Sequence, residues 1–259
     1  MNGLRVPIFE KGNILTTNML ETLKELSLDY QATRYVGYSN GILTGCNIDV
    51  NDTTLTVGKG IIIYDEQLYF LTNPITISYY PTNEWIVLNF VIGAEINYRN
   101  ISEKQLELVF TKEAEKKEDA IEICRFQLQQ GARLRKGYRN FGDQDTEYDT
   151  INEIYADWSG YEDKTISFQL LSFFAKEMGK KPKLELIDFL FCQQIYQLDG
   201  KSMNRKAIEG YLNQRLQQKK EHYTNKEIYQ KLCEIMRVSP ARNGFAQERP
   251  LQQRRIIID

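Results

Sequence analysis

The chain has 259 residues, 42% of them hydrophobic and 26% charged, with 16 Gly, 6 Pro and 4 Cys. That is apolar material for one large or two small domains, and it excludes collagen-like, disordered and disulfide-scaffold proteins. The net charge of −2 hides an asymmetry: residues 1–179 hold 17 Lys+Arg against 26 Asp+Glu, whereas residues 180–259 hold 16 against 9.

Met1 to Glu10 shows no basic start followed by an apolar run, so no signal peptide is expected, and no stretch is apolar enough for a membrane span. Residues 17–30 place Met19, Leu20, Leu23, Leu26 and Leu28 at helical spacing behind a cap at Thr17 or Asn18, which predicts an amphipathic helix. From Gly41 the period falls to two and turn residues recur about every ten positions. Short strands are expected at 42–44, 46–50, 55–57, 61–64, 68–71 and 75–77, then at 106–110 and 121–128. Trp85 to Ile92 is nearly continuous in apolar residues and reads as a strand buried on both faces. The charged run 112–119 reads as a solvated loop or short helix.

After Gly137 the alternation stops, and residues 141–164 read as an acidic, aromatic linker. Four helices are expected beyond it: Ser167–Met178 capped by Thr165, Lys183–Leu198, Met203 to about Glu221 capped by Ser202, and Thr224–Met236 opened by a capping box with Glu227. The second is apolar around most of its circumference and is expected at the centre of a bundle. The organisation predicted is a segregated α+β chain. It has an N-terminal helical segment (1–39), an antiparallel β-sandwich or partly open barrel (40–140), the linker (141–164), a helical domain (165–236) and an extended tail (237–259).

Motifs that carry chemistry are weak. Gly200-Lys201-Ser202 matches only the end of a phosphate loop, because Ile195 stands where the first glycine belongs and a helix precedes it, so a C-cap followed by an N-cap is expected. Gly58-Lys59-Gly60 leads into a strand and reads as a turn. Asp143, Asp145, Glu147 and Asp149 alternate with other residues as calcium ligands can, but without the glycine and distal glutamate of an EF-hand, so a solvated linker is expected and no metal. The single histidine, His222, lies in a charged stretch and reads as a surface residue, which leaves no histidine-based nucleophilic site. Cys46, Cys124, Cys192 and Cys233 have no zinc-type spacing and read as buried free thiols. Neither an enzyme nor a cofactor is expected.

Two features suggest partner contacts. Tyr155, Trp158 and Tyr161 fall three apart and could pack the linker, meet another subunit or meet a glycan. Arg254, Arg255, Ile256, Ile257 and Ile258 join two cations to three β-branched residues, a strand suited to a neighbour's sheet edge. The basic C-terminal part could follow a phosphate backbone, but its cations alternate with Gln and Glu, and pairing with acidic protein surface is the reading preferred.

The run Gly41 to Val50, followed by Leu55 to Tyr64, the Gln67-Leu68-Tyr69 strand and Ile121 to Leu128, resembles the small β module of tailed-phage and prophage tail or baseplate proteins. The resemblance covers about residues 40–137. It implies a structural adaptor within the virion tail or baseplate, assembled in the host cytoplasm, in contact with other tail proteins and with copies of itself. A receptor- or carbohydrate-binding module of such a particle, and a nucleic-acid-binding protein, are the alternatives.

Overall fold

The computed structural model describes residues 5–115, 119–145 and 149–238. The fold is α+β, with antiparallel sheets ahead of a helical C-terminal region and no closed barrel. It opens with α1 (Thr17–Arg34), one turn longer than the spacing predicts, and its cap is Thr16, whose Oγ1 accepts from the Met19 amide at 3.3 Å.

Among the described residues nine strands follow, in three three-stranded sheets. The first sheet joins β1 (Gly41–Gly45), β4 (Gly60–Tyr64) and β5 (Gln67–Leu71); the second joins β2 (Ile48–Val50), β3 (Thr54–Val57) and β6 (Ile75–Ser78). Every pairing among these strands is antiparallel. Alternate residues point into a shared core, with Ile48, Leu55, Val57 and Ile62 fully buried. Gly45 has φ +74 and Gly60 lies against the Cys46 and Thr44 backbone, so these two glycines let β1 and β4 approach where a side chain would collide.

The third sheet places β7 (Trp85–Tyr98) between β8 (Ile101–Lys112) and β9 (Ile121–Gln127). Ile86 to Phe90 are buried in succession, the two-faced burial that the apolar run predicts. Asn89 is tolerated inside because its amide nitrogen donates to the Val87 carbonyl at 3.2 Å and to Thr111 Oγ1 at 2.9 Å. Beyond a register shift at Ile92/Glu95 the β7–β8 ladder continues to Tyr98↔Ile101 as a solvent-exposed arm. The strands expected at 85–92 and 106–110 stop short of this arm, whose residues are exposed on both faces.

The helical region contains α2 (Phe168–Gly179), α3 (Leu186–Tyr196), α4 (Arg205–Leu216) and α5 (Asn225–Val238). The capping box of α5 is present: Glu227 Oε2 accepts from the Thr224 amide at 2.8 Å, and Thr224 Oγ1 from the Glu227 amide at 3.2 Å. Other ends differ from expectation. Ser167, not Thr165, caps α2; Asn204, not Ser202, caps α4; and α4 stops at Gln217 in the left-handed region, short of Glu221. In each case the cap is the nearest residue whose side chain reaches a free amide, while Thr165 Oγ1 donates instead to the Met203 carbonyl at 2.7 Å.

Helix α3 is not central. Phe191, Cys192 and Ile195 pack inward, but Leu186, Phe189, Leu190 and Tyr196 are 47–73% exposed. The more enclosed helix is α2, which buries Leu170, Leu171, Phe174, Ala175 and Met178. Residues 237 and 238 belong to α5 rather than to a tail, and 239–259 lie outside the described residues.

Candidate protein–protein interface

Residues 149–165 form a seam between the two cores. Ile151, Ala156 and Trp158 enter the β core, while Phe141, Ile154 and Ile166 enter the helical core. Arg125 and Asn152 exchange backbone hydrogen bonds at 2.9 and 2.8 Å, Ile42 pairs with Asp157 and Ser159, and Thr165 pairs with Trp158. A buried ionic cluster sits under this seam. Glu122, fully buried, accepts from Arg125 Nε and Nη2 at 2.6 and 2.8 Å, and Glu113 takes another nitrogen of the same guanidinium. The guanidinium lies 3.9 Å from the centre of the Tyr155 ring.

The three aromatics therefore do three different things. Tyr155 is half-buried over Arg125, Trp158 is 2% exposed within the β core, and Tyr161 is exposed, edge-on to Tyr38 at 6.1 Å. Of the three, Tyr161 alone offers a ring to solvent. Arg254, Arg255, Ile256, Ile257 and Ile258 lie outside the described residues.

The other motifs resolve into structural roles. Gly200 accepts at its carbonyl from Thr44 Oγ1 at 3.2 Å, and Lys201 bridges to Thr44, so this turn straps the helical region to β1. Arg135 holds Asp143 at 2.8 Å and Asp149 at 3.0 Å, so one guanidinium offsets part of the negative charge of this segment. Among the described residues no group of three or more His, Cys, Asp or Glu is placed to hold a metal ion. His222 is exposed, with Nδ1 3.6 Å from Glu209 and 3.8 Å from Asp163. Burial pushes the Cys46 thiol up to about 12 and the Cys192 thiol to about 11, and raises Cys124 as well, so none of the three is poised as a nucleophile.

Several basic residues of the helical region are also engaged. Arg215 reaches Asp188 and Glu185, each at 2.9 Å, and Lys220 reaches Glu227 at 2.6 Å. No helix among the described residues is long and apolar enough to cross a membrane.

Two exposed surfaces are rich in apolar residues. The outer stripe of α3, Leu186, Phe189, Leu190 and Tyr196, follows i, i+3, i+4 spacing on one side of the helix. The apolar residues of α1 are exposed too. Periodicity identifies α3 as apolar all round but cannot say which half meets the rest of the chain. A recess of about 520 Å³ between α1, β1, β4 and the turn after α3 is lined by Tyr30, Tyr35, Tyr38, Arg34 and Lys201 among others.

No protein-family model matches the chain, and no match was found among curated proteins. Solved structures do show similarity. A chain of the crystal structure of TssK is 12% identical, with 90% of this chain and 67% of that one aligned at a TM-score of 0.35. A chain of the type VI secretion TssK-TssF-TssG baseplate subcomplex is 9% identical over 91% of this chain and 98% of that one, with a TM-score of 0.42. A chain of the type VI secretion baseplate complex is 8% identical over 90% of this chain and all of that one, at 0.38. TM-scores this low do not establish a shared fold.

Proposed function

We propose that this chain is a structural subunit of a tail or baseplate particle, an adaptor that joins neighbouring subunits by protein–protein contacts. The observation that carries the reading is the outward stripe of α3: four large apolar side chains are 47–73% exposed on one face of the helix. Contiguous apolar surface of this kind marks an interaction site. The tail or baseplate setting is supported by the resemblance of residues 41–69 and 121–128 to the β module of such proteins. A secretion baseplate suits the proposal as well as a phage tail does. Tyr161 and the segment 254–258 are further contacts on this reading, and the particle, assembled in the cytoplasm of its host cell, is where the chain resides.

The experiment is to replace Phe189 and Leu190 together by glutamate and to purify particles from cells carrying that variant. The expected result is a soluble, folded chain that is missing from the particles. Particles of normal composition with the variant at wild-type abundance overturn the α3 contact, and particles that assemble and function without the chain overturn the adaptor role.

The recess favours a second reading, binding of a receptor or glycan, because it gathers three tyrosines beside Arg34 and Lys201. Binding to an acidic-glycan array that is lost in Lys201→Ala supports it; an array with no signal argues against it.

A further inference from the structure

The strongest unabsorbed feature is α1. Met19, Leu23, Leu26 and Tyr30 are spaced four, three and four residues apart, a spacing that suits a coiled-coil seam. The structure covers this seam poorly. Thr22 is the one buried residue of the helix; Met19 is half-buried, Leu23 and Leu26 are each 41% exposed, and Tyr30, at the end that meets the recess, is 68% exposed. Leu20 beside the seam is exposed as well, as are Val6, Ile8, Phe9, Ile14 and Leu15 just before it. A helix of 18 residues with no packed apolar face is marginal in water.

The charges beside the seam specify what covers it. With Leu23 and Tyr30 at the a positions and Met19 and Leu26 at d, Thr22 and Asp29 fall at g, and Leu20, Ser27 and Arg34 at e. Facing g and e positions of parallel, in-register helices lie five residues apart in number. Asp29 of one copy thus meets Arg34 of the next, and Thr22 meets Ser27, with no like charges opposed. Antiparallel pairing sets e against e and g against g, which leaves both charges without an opposite partner. The remaining charges of the central turns, Glu21, Lys24 and Glu25, stand at f, b and c, away from the seam.

We propose that α1 pairs with the α1 of a second copy as a parallel, in-register coiled coil, so that the chain self-associates through its N-terminal helix. The proposal concerns a different surface from α3 and does not depend on which particle the chain serves.

The test uses the full-length purified chain and reads mass by light scattering and sedimentation over a range of concentrations. The expected result is an oligomer that Leu23→Glu/Leu26→Glu converts to monomer with little change in thermal midpoint, because the helix adds little to the core. Asp29→Arg alone and Arg34→Asp alone weaken association, and the two together in one chain restore it, a pattern that a merely structural role for either residue does not produce. In a Cys233→Ser background, Leu26→Cys forms a disulfide-linked dimer on mild oxidation. A wild-type chain that stays monomeric at every concentration overturns the proposal. So do an oligomer indifferent to the glutamate pair and a charge swap that fails to restore association.

Discussion

Asp188 and Arg215 lie 2.9 Å apart inside the helical region, the carboxylate fully buried between α3 and α4 and the guanidinium reaching it through Nε. Tyr211 also donates its hydroxyl to the same carboxylate oxygen at 2.8 Å, and its ring stacks on Phe191 at 3.8 Å. One acid thus ties the two helices together through an ion pair and a charge-assisted hydrogen bond.

Removing Arg215 leaves the buried Asp188 carboxylate without its countercharge, though still hydrogen-bonded by Tyr211, at a cost of about 3–5 kcal/mol. Arg215→Met is expected to lower the urea unfolding free energy by that amount. Arg215→Met combined with Asp188→Leu is expected to recover most of it, since an apolar pair carries no desolvation penalty. Equal losses in the single and double variants would show that packing, not charge, governs the site.

Alkaline pH is expected to weaken the fold. Burial holds the Cys46 proton up to about 12 against an ordinary thiol value of 9.0, and it raises Cys124 in the same direction. Above pH 9 the unfolded chain releases these protons while the folded chain keeps them. The stabilisation is therefore complete below the ordinary value and is lost as pH rises through the window from 9 to 12, at up to about 1.4 kcal/mol per pH unit for each group. Denaturation midpoints between pH 9 and 12 should fall less steeply in Cys46→Ala than in the wild type, whatever their absolute values.

The two glycines tested by substitution should differ sharply. A Cβ on Gly45 meets the Lys59 carbonyl oxygen and the Gly60 Cα, whereas one on Gly131 meets nothing, although both residues have positive φ. Gly131→Ala is expected to cost about 1–2 kcal/mol, the left-handed penalty alone. Gly45→Ala is expected to cost about 2 kcal/mol more, because the β1–β4 backbones must separate. Chemical denaturation of the two variants side by side provides the comparison.

Trp158 and Tyr161 should separate stability from recognition. Trp158→Ala empties a site in the β core and is expected to cost about 3–5 kcal/mol. Tyr161→Ala removes an exposed ring and is expected to change stability by no more than about 1 kcal/mol. If Tyr161 is a contact, its variant loses particle incorporation while keeping its thermal midpoint.

The strands and helices were legible because each has a period: two between Gly41 and Leu71, 3.6 in α2 and α5, and a capping box at Thr224 that stands in the structure as the spacing implies. The seam was not. Ile151, Ile154, Ala156 and Trp158 stand singly among amides and acids, and their burial depends on pairing with Arg125 and Ile42, far away in the chain. Nothing local encodes those partners. The position of α3 was misjudged for a different reason. Uniform apolarity implies a core position in a chain that acts alone, but half of a surface helix can be apolar where another molecule is meant to cover it.

Strand β1 meets Trp158 through Ile42 and Lys201 through Thr44, so the earliest strand is completed by segments made much later. During synthesis the first sheet must therefore wait, its β1 edge open, until the seam and the turn after α3 leave the ribosome. A chain cut near residue 140 would keep all nine strands and still lack that closing edge. Such a fragment is expected to be bound by chaperones or to aggregate rather than behave as an independent module.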